Sequence, residues 1–248
     1  MTSPIITSMT NAYVKKVIEL KSTKVIKEKK LFIVEGEHLV LEAMKNHQLK
    51  EVVVVQKASN LVLENIKQTL VTVEVMKKIS DLKTPAHIIG VCEIKESQVD
   101  FKDNILILEN IQDPGNMGSL IRCAAAFNFK TIIASEDCVS FFNSKTIRAT
   151  QGNLFAINLV SQDSIEAIRQ ALDHDFEIIG TDLKKPSVDF DEIKTPKLKA
   201  LLLGNEGTGL STKATSLITR NFLININPEV ESLNVSIAGA IIMNLINQ

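Results

Sequence analysis

The 248-residue sequence predicts an α/β protein in two parts, a C-terminal parallel-sheet domain preceded by a small α/β domain. Three observations predict it. Short apolar runs rich in β-branched residues alternate with helical stretches from Phe32 to the C-terminus, the pattern of βαβ units and parallel pairing. A polar stretch at 95–103 (KESQVDFKD) interrupts that alternation and suggests a boundary between domains at 1–97 and 98–248. Charge divides at the same place, since residues 1–97 carry a net charge of +4, with no arginine, and residues 98–248 carry −5.

Taken in order, residues 11–21 read as a short helix, followed by a lysine-rich segment. A strand at 32–36 leaves through Gly36 into a helix at 37–46 with Leu39, Val40, Ala43 and Met44 on one face. A strand at 51–55, a helix at 61–68 and strands at 71–75 and 88–94 complete the first domain, with parallel pairing expected. In the second domain, strands are expected at 105–108, 131–134, 156–160, 177–180, 198–203 and 222–226. Helices fit 117–127, 145–150, 164–173, 212–218 and 235–247, and the charged stretch 187–197, bounded by Pro186 and Pro196, reads as a surface loop.

Composition excludes several classes. No apolar run approaches the roughly 18 residues of a membrane helix, and the first residues lack the basic-then-apolar pattern of a secretion signal. Cys92, Cys123 and Cys138 share no CxxC spacing, which fits reduced thiols in a cytoplasm. The four histidines (38, 47, 87 and 174) lack ligand spacing, so no metal site is expected. Lys15, Lys16, Lys21, Lys24, Lys27, Lys29 and Lys30 face only Glu19 and Glu28, which is either a solvated helical face or a surface that meets phosphates.

Three strand-to-loop turns carry polar side chains. The first, in ILILENIQDPGNMGSLIRCAAAFNF (105–129), breaks at Asp113-Pro114-Gly115-Asn116, where Asn116 is a candidate N-cap, and places Arg122 early in the helix. Arginine is scarce, occurring only at 122, 148, 169 and 220. The second, LLLGNEGTGLS (201–211), runs an apolar strand into Gly204, Gly207 and Gly209 around Asn205 and Glu206. It is neither a Walker loop, lacking Gly-Lys-Ser/Thr, nor the dinucleotide fingerprint. The third leads from a strand through a polar loop to Ser232 and Asn234, candidate caps of an apolar final helix. In an open α/β sheet such turns converge at the carboxyl edge, where ligands bind. No Ser-His-Asp or Cys-His set accompanies them, which disfavours hydrolysis and metal chemistry.

DPGNMGSLIRCAAAF, LLLGNEGTGLS and ESLNVSIAGAIIM, in this order and at these separations, resemble the three motifs of the SpoU (TrmH) family of RNA ribose 2′-O-methyltransferases. FIVEGEHLVLEA resembles the small substrate-binding domain that precedes the catalytic domain in many members. The resemblance implies S-adenosylmethionine as cofactor, a ribosomal or transfer RNA substrate, a deep trefoil knot in the C-terminal domain and a homodimer formed through that domain. Motif residues map to Asn116, Arg122, Glu206, Ser232 and Asn234, and cofactor contacts to Leu203, Gly204, Ile224, Ile226 and Leu233. Many relatives have Ile-Pro followed by glycine in the third motif, where this chain has Ile224-Asn225 and Pro228. RNA contact is expected around Lys24, Lys27, Lys29 and Lys30, lysines standing where relatives often carry arginine.

The expected role of Arg122 is to stabilise negative charge on the 2′-oxygen, because a guanidinium with a pKa above ~12 makes a poor base. Asn116 would orient Arg122 or the ribose, Glu206 would hold Arg122 or Asn116, and Ser232 and Asn234 would fix the cofactor loop. Two alternatives are a non-catalytic RNA-binding or assembly factor with the same fold, and a related enzyme acting on a base.

Overall fold

A computed structural model describes residues 4–55, 65–182, 186–193 and 195–248. The chain forms two compact units, one of Met1–Glu96 with Phe142–Phe155, the other of Ser97–Phe141 with Ala156–Gln248. The first unit therefore has a second piece that a single boundary near residue 97 does not anticipate.

The first unit runs α1 (Ala12–Glu19), α2 (Thr23–Lys29), β1 (Leu31–Glu35), α3 (Glu37–Lys45), β2 (Leu49–Val55), β3 (Lys67–Val71), α4 (Val73–Ile79) and β4 (Ile88–Glu93). Asn11 caps α1 by accepting the Tyr13 N–H at 2.8 Å. Gly36, at φ +98°, makes the turn from β1 to α3 in a region that side chains rarely adopt. The sheet order is β1-β4-β2-β3. Only β2 and β3 are parallel, whereas β4 runs antiparallel to both β1 and β2, which corrects the expectation of parallel pairing throughout.

Two further expectations fail here. The strand expected at 71–75 lies earlier, and 73–79 is helical because the Thr72 hydroxyl accepts the Val75 N–H and caps α4. Of the helix expected at 61–68, residues 61–64 lie outside the described residues, and Lys67 and Gln68 belong to β3. Val14, Val17, Val53, Val71, Val75 and Ile79 form the core. The second piece, α6 (Ser144–Ala149) with a 3-10 turn at Asn153–Ala156, packs on β1, where Phe32 meets Phe142 at 4.7 Å and Phe155 at 6.1 Å between ring centres.

The second unit contains β5 (Ile105–Leu108), α5 (Pro114–Ala126), β6 (Thr131–Ala134), β7 (Asn158–Ser161), α7 (Ser164–Asp173) and β8 (Glu177–Gly180). It continues with α8 (Phe190–Ile193), β9 (Lys199–Leu203), α9 (Thr212–Ser216), β10 (Arg220–Asn221) and α10 (Val235–Ile246). All strands are parallel, in the order β10-β8-β9-β5-β6-β7. β5, β6 and β9 are buried throughout, which explains why they read as unbroken apolar runs.

After β5 the chain moves towards β6, and after β9 it moves the other way, towards β10, so the order reverses between these neighbours. That reversal is a topological switch point, the place where open α/β sheets take ligands, and Leu108 and Leu203 lie opposite each other there.

Several boundaries differ from expectation. Asp113 caps α5, with Pro114 in the first turn where its missing N–H costs nothing, so Asn116 is inside the helix and is not its cap. The last strand shrinks to Arg220–Asn221, and 222–226, apolar but with polar Asn225, runs beyond it as irregular backbone. A four-residue helix interrupts the loop at 187–197. No helix among the described residues is long and apolar enough to cross a membrane.

Candidate active site

The carboxyl ends of β5 and β9 carry the first two motif turns, and the N-terminus of α10 lies beside them. Gly239 permits this placement, since a Cβ there would come within 2.7 Å of Leu120 and 2.8 Å of Leu203. Helix α10 therefore packs directly on α5 and on the end of β9.

Three side chains, one from each turn, join in a chain of hydrogen bonds. The Asn116 amide NH2 donates to Glu206 Oε1 at 2.6 Å, and the Asn234 NH2 donates to Asn116 Oδ1 at 2.9 Å. Asn234 Oδ1 in turn accepts the Ser236 N–H at 2.9 Å and the Ser236 hydroxyl at 2.7 Å, capping α10. Each amide thus has both ends engaged, which fixes its orientation and makes asparagine the fitting residue type. Asn116 is half-buried, while Glu206 and Asn234 are exposed.

The glycine loop carrying Glu206 is built on Asn205. Its Oδ1 accepts the N–H groups of Gly207 at 2.9 Å and Thr208 at 3.0 Å, and the Gly209 N–H donates to the Asn205 carbonyl at 2.9 Å. Gly204 is required by proximity, because a Cβ there would lie 2.6 Å from the Gly209 carbonyl group.

Arg122 is exposed on α5 and makes no hydrogen bond or ion pair with any described residue, so of the two partners expected for Glu206 the structure supplies Asn116. Ser232 is also exposed and joins no hydrogen bond of this network. Among the residues expected to contact cofactor, Leu203 is buried, and Gly204, Ile224, Ile226 and Leu233 are half-buried. Ile224 lines a hollow of about 450 Å³ with Ser187, Leu223, Asn225, Ile241 and others, whereas Leu203, Gly204, Ile226 and Leu233 do not line it. Burial raises the pKa of Cys123 and Cys138, disfavouring either thiol as a nucleophile.

In the first unit, Lys24, Lys27, Lys29 and Lys30 are all exposed on or just after α2. Lys29 lies 3.6 Å from Glu19, and the other three have no acidic partner among the described residues. Sequence reasoning gave Asn205 no role and missed Glu109, and both shape the glycine loop. A charged residue directly after the apolar strand 105–108 was the available signal for Glu109.

The chain resembles known proteins in both sequence and fold. The model of the SpoU rRNA methylase family matches residues 103–244, and that of the MRM3-like substrate-binding domain matches 11–90. The 23S rRNA (guanosine(2553)-2′-O)-methyltransferase RlmP of Bacillus subtilis is 28% identical over 241 residues, covering 96% of this chain and 97% of that protein. The crystal structure of an AdoMet-bound rRNA methyltransferase from Sinorhizobium meliloti is 28% identical, with a TM-score of 0.86, over 98% of this chain and 97% of that one. With the family model spanning more than half of its length, the chain belongs to the SpoU rRNA methylase family.

Proposed function

We propose that this chain transfers the methyl group of S-adenosylmethionine to a ribose 2′-hydroxyl of ribosomal RNA. The observation that carries the reading is the Glu206–Asn116–Asn234 chain, which ties all three motif turns together at the switch point of the sheet. The relatives' names support the ribose and ribosomal RNA in particular.

The residues present fit the cofactor. Glycine-loop backbone is exposed at Gly207 and Thr208, and Ile224 lines a separate hollow with residues of 187–189 and α10. Leu203, Gly204, Ile224, Ile226 and Leu233 would hold it. When bound, S-adenosylmethionine supplies an electrophilic methyl group. The chain's own task is then to place the hydroxyl oxygen in line with that methyl, and such positioning is worth up to ~7–11 kcal/mol in favourable cases.

Arg122 would face the 2′-oxygen and stabilise the negative charge that appears there as the hydroxyl proton passes to the RNA's own phosphate, a charge spent once the oxygen takes the methyl group. It makes no hydrogen bond or ion pair with a described residue, which leaves its donors available for RNA. Asn116 and Glu206 shape the ribose site, and Asn234 and Ser232 hold the final loop. Residues 1–97 form the RNA-binding part, using Lys24, Lys27, Lys29 and Lys30, and residues 98–248 the catalytic part. Ile237 and Ile241, 53% and 37% exposed on α10, suit a homodimer through this part. The trefoil knot of the family belongs to the same reading.

The test is transfer of labelled methyl from S-adenosylmethionine to unmodified ribosomal and transfer RNA, followed by digestion to nucleosides. Label in a 2′-O-methylated nucleoside from ribosomal RNA, lost in Arg122→Ala, is the expected result. Label in a methylated base overturns the ribose assignment. Absence of label together with absence of cofactor binding favours a non-catalytic RNA-binding factor.

A further inference from the structure

Strand β5 runs directly into a buried acid. Glu109 is 9% exposed, and no cation among the described residues pairs with it. A buried carboxylate without a counter-ion survives only when its oxygens are well supplied with hydrogen bonds. Here the Ser211 N–H donates to Oε2 at 2.7 Å, and the hydroxyls of Ser211 and Ser164 both donate to Oε1 at 2.9 Å.

The placement of these donors is selective. Ser211 ends the glycine loop and caps α9, while Ser164 opens α7 and lies outside the loop. The next residue along, Asn110, accepts at its carbonyl a 2.9 Å bond from the Asn205 amide, which begins the loop. Two consecutive residues at the end of β5 therefore hold both ends of the loop 204–211. Between those ends the loop is mostly exposed, and it carries Glu206, whose carboxylate meets Asn116.

We infer that Glu109 is a positioning residue for methyl transfer: its carboxylate fixes the exit of the glycine loop, and with it the backbone that contacts cofactor. This rests on the loop being the cofactor site proposed above. The charge matters because the groups facing it donate, and a peptide N–H cannot reverse. In Glu109→Gln, one amide orientation sets NH2 against the Ser211 N–H. The other orientation requires both serine hydroxyls to turn round, although the Ser211 hydroxyl already accepts the Ala214 N–H at 3.2 Å. Aspartate is one methylene short of reaching both serines.

The test measures S-adenosylhomocysteine affinity by calorimetry, and kcat and KM for S-adenosylmethionine, on the full chain. Glu109→Gln and Ser211→Ala are each expected to weaken cofactor binding about tenfold, the effect of one lost charge-assisted hydrogen bond. The double variant should lose less than the sum of the two, because the Ser211 hydroxyl and Glu109 share a contact. Ser164→Ala removes a bond to the same oxygen outside the loop, and should lower Tm while changing affinity less than twofold.

Glu109→Gln with lowered Tm and unchanged affinity overturns the inference and leaves Glu109 a tie between helices. Equal loss of affinity in Ser164→Ala and Ser211→Ala overturns it too, and this pair decides the matter if Glu109→Gln does not fold. Gly204→Ala serves as the control, since its Cβ collides with the loop backbone. Unchanged affinity in that variant means the loop is not the cofactor site, so the parent reading fails. Loss there without loss in Glu109→Gln fails the inference alone.

Discussion

The two edges of the six-stranded sheet use the same residue types to opposite ends. At the amino edge, Lys199 is 3% exposed and its ammonium lies 3.1 Å from Glu177, donates to the Thr195 hydroxyl at 2.6 Å, and donates to the carbonyls of Lys197 and Thr195. Arg220 approaches Glu177 at 3.7 Å and Glu192 at 3.9 Å. At the carboxyl edge, Glu206 meets an amide and Arg122 makes no hydrogen bond or ion pair with a described residue. Charges consumed by one another hold a fold together, whereas an arginine with no protein partner keeps its donors for a ligand. The difference follows from topology: the carboxyl ends at a switch point are where an open α/β sheet takes its ligand, whereas at the amino ends Glu177 and Lys199 are direct neighbours on paired strands.

Replacing the two arginines separately is the sharpest way to break this comparison. Arg122→Ala should reduce kcat by about 10³-fold or more, the scale of losing a donor to a developing oxyanion. Its urea midpoint and cofactor affinity should match those of the unaltered chain. Arg220→Ala should keep full activity and lose at most about 1 kcal/mol of stability, because its side chain is 38% exposed. If Arg122→Ala destabilises as much as Arg220→Ala while retaining turnover, the division of labour is wrong.

Removing the buried cation probes the amino edge directly. Lys199→Met strands the Glu177 carboxylate in a poorly solvated place, and should cost about 3 kcal/mol in urea unfolding. Turnover per folded molecule should be unchanged, because Lys199 begins the strand whose other end, Leu203, reaches the site. A fall in kcat beyond the loss of folded protein would couple the two edges.

These regions also differ in how readable they are from sequence. Runs such as 105–108 and 131–134 are legible because a strand covered on both faces needs apolar residues at every position. Strand direction in the first unit is not: β4 alternates with helices as a parallel strand would, yet pairs antiparallel with β1 and β2. The segment 71–75 misleads because TVEV alternates like a strand while Thr72 is placed to cap a helix. Asn116, Glu206 and Asn234 are far apart in the chain, so spacing shows no contact among them, and only the motif resemblance groups them. Glu109 belongs to no signature, and its role emerges once the serines of two helices converge on it.

The lysines of α2 extend the comparison to the first unit with a smaller effect. Lys24, Lys27 and Lys30 have no acidic partner among the described residues, whereas Lys29 is near Glu19. Each unpaired lysine that meets a phosphate should add about 0.7–0.9 to the slope of log affinity against log salt. The triple variant Lys24→Ala, Lys27→Ala, Lys30→Ala should therefore flatten that slope by about 2–3, and Lys29→Ala should flatten it less than any single one of the three. A slope unchanged in the triple variant would return these lysines to a solvated face.

The smallest effect is the pH dependence of the amino edge. Burial pushes the Glu177 carboxyl up, but hydrogen bonds from Thr195 and Lys199 and the charges of Lys199 and Arg220 outweigh it, leaving the pKa below the ordinary carboxylate value. A folded pKa below the unfolded one means that the folded state favours the ionised form. The resulting stability is complete above the unfolded value of about 4.3 and disappears as pH falls through the folded one. The difference in urea midpoint between the unaltered chain and Glu177→Gln should thus be constant between pH 6 and pH 8, within the roughly ±10–15% of extrapolated stabilities. It should then shrink steadily below pH 4. A difference that grows on acidification would mean that desolvation dominates at Glu177, and that the amino edge is held by packing around Lys199 more than by its charge pair.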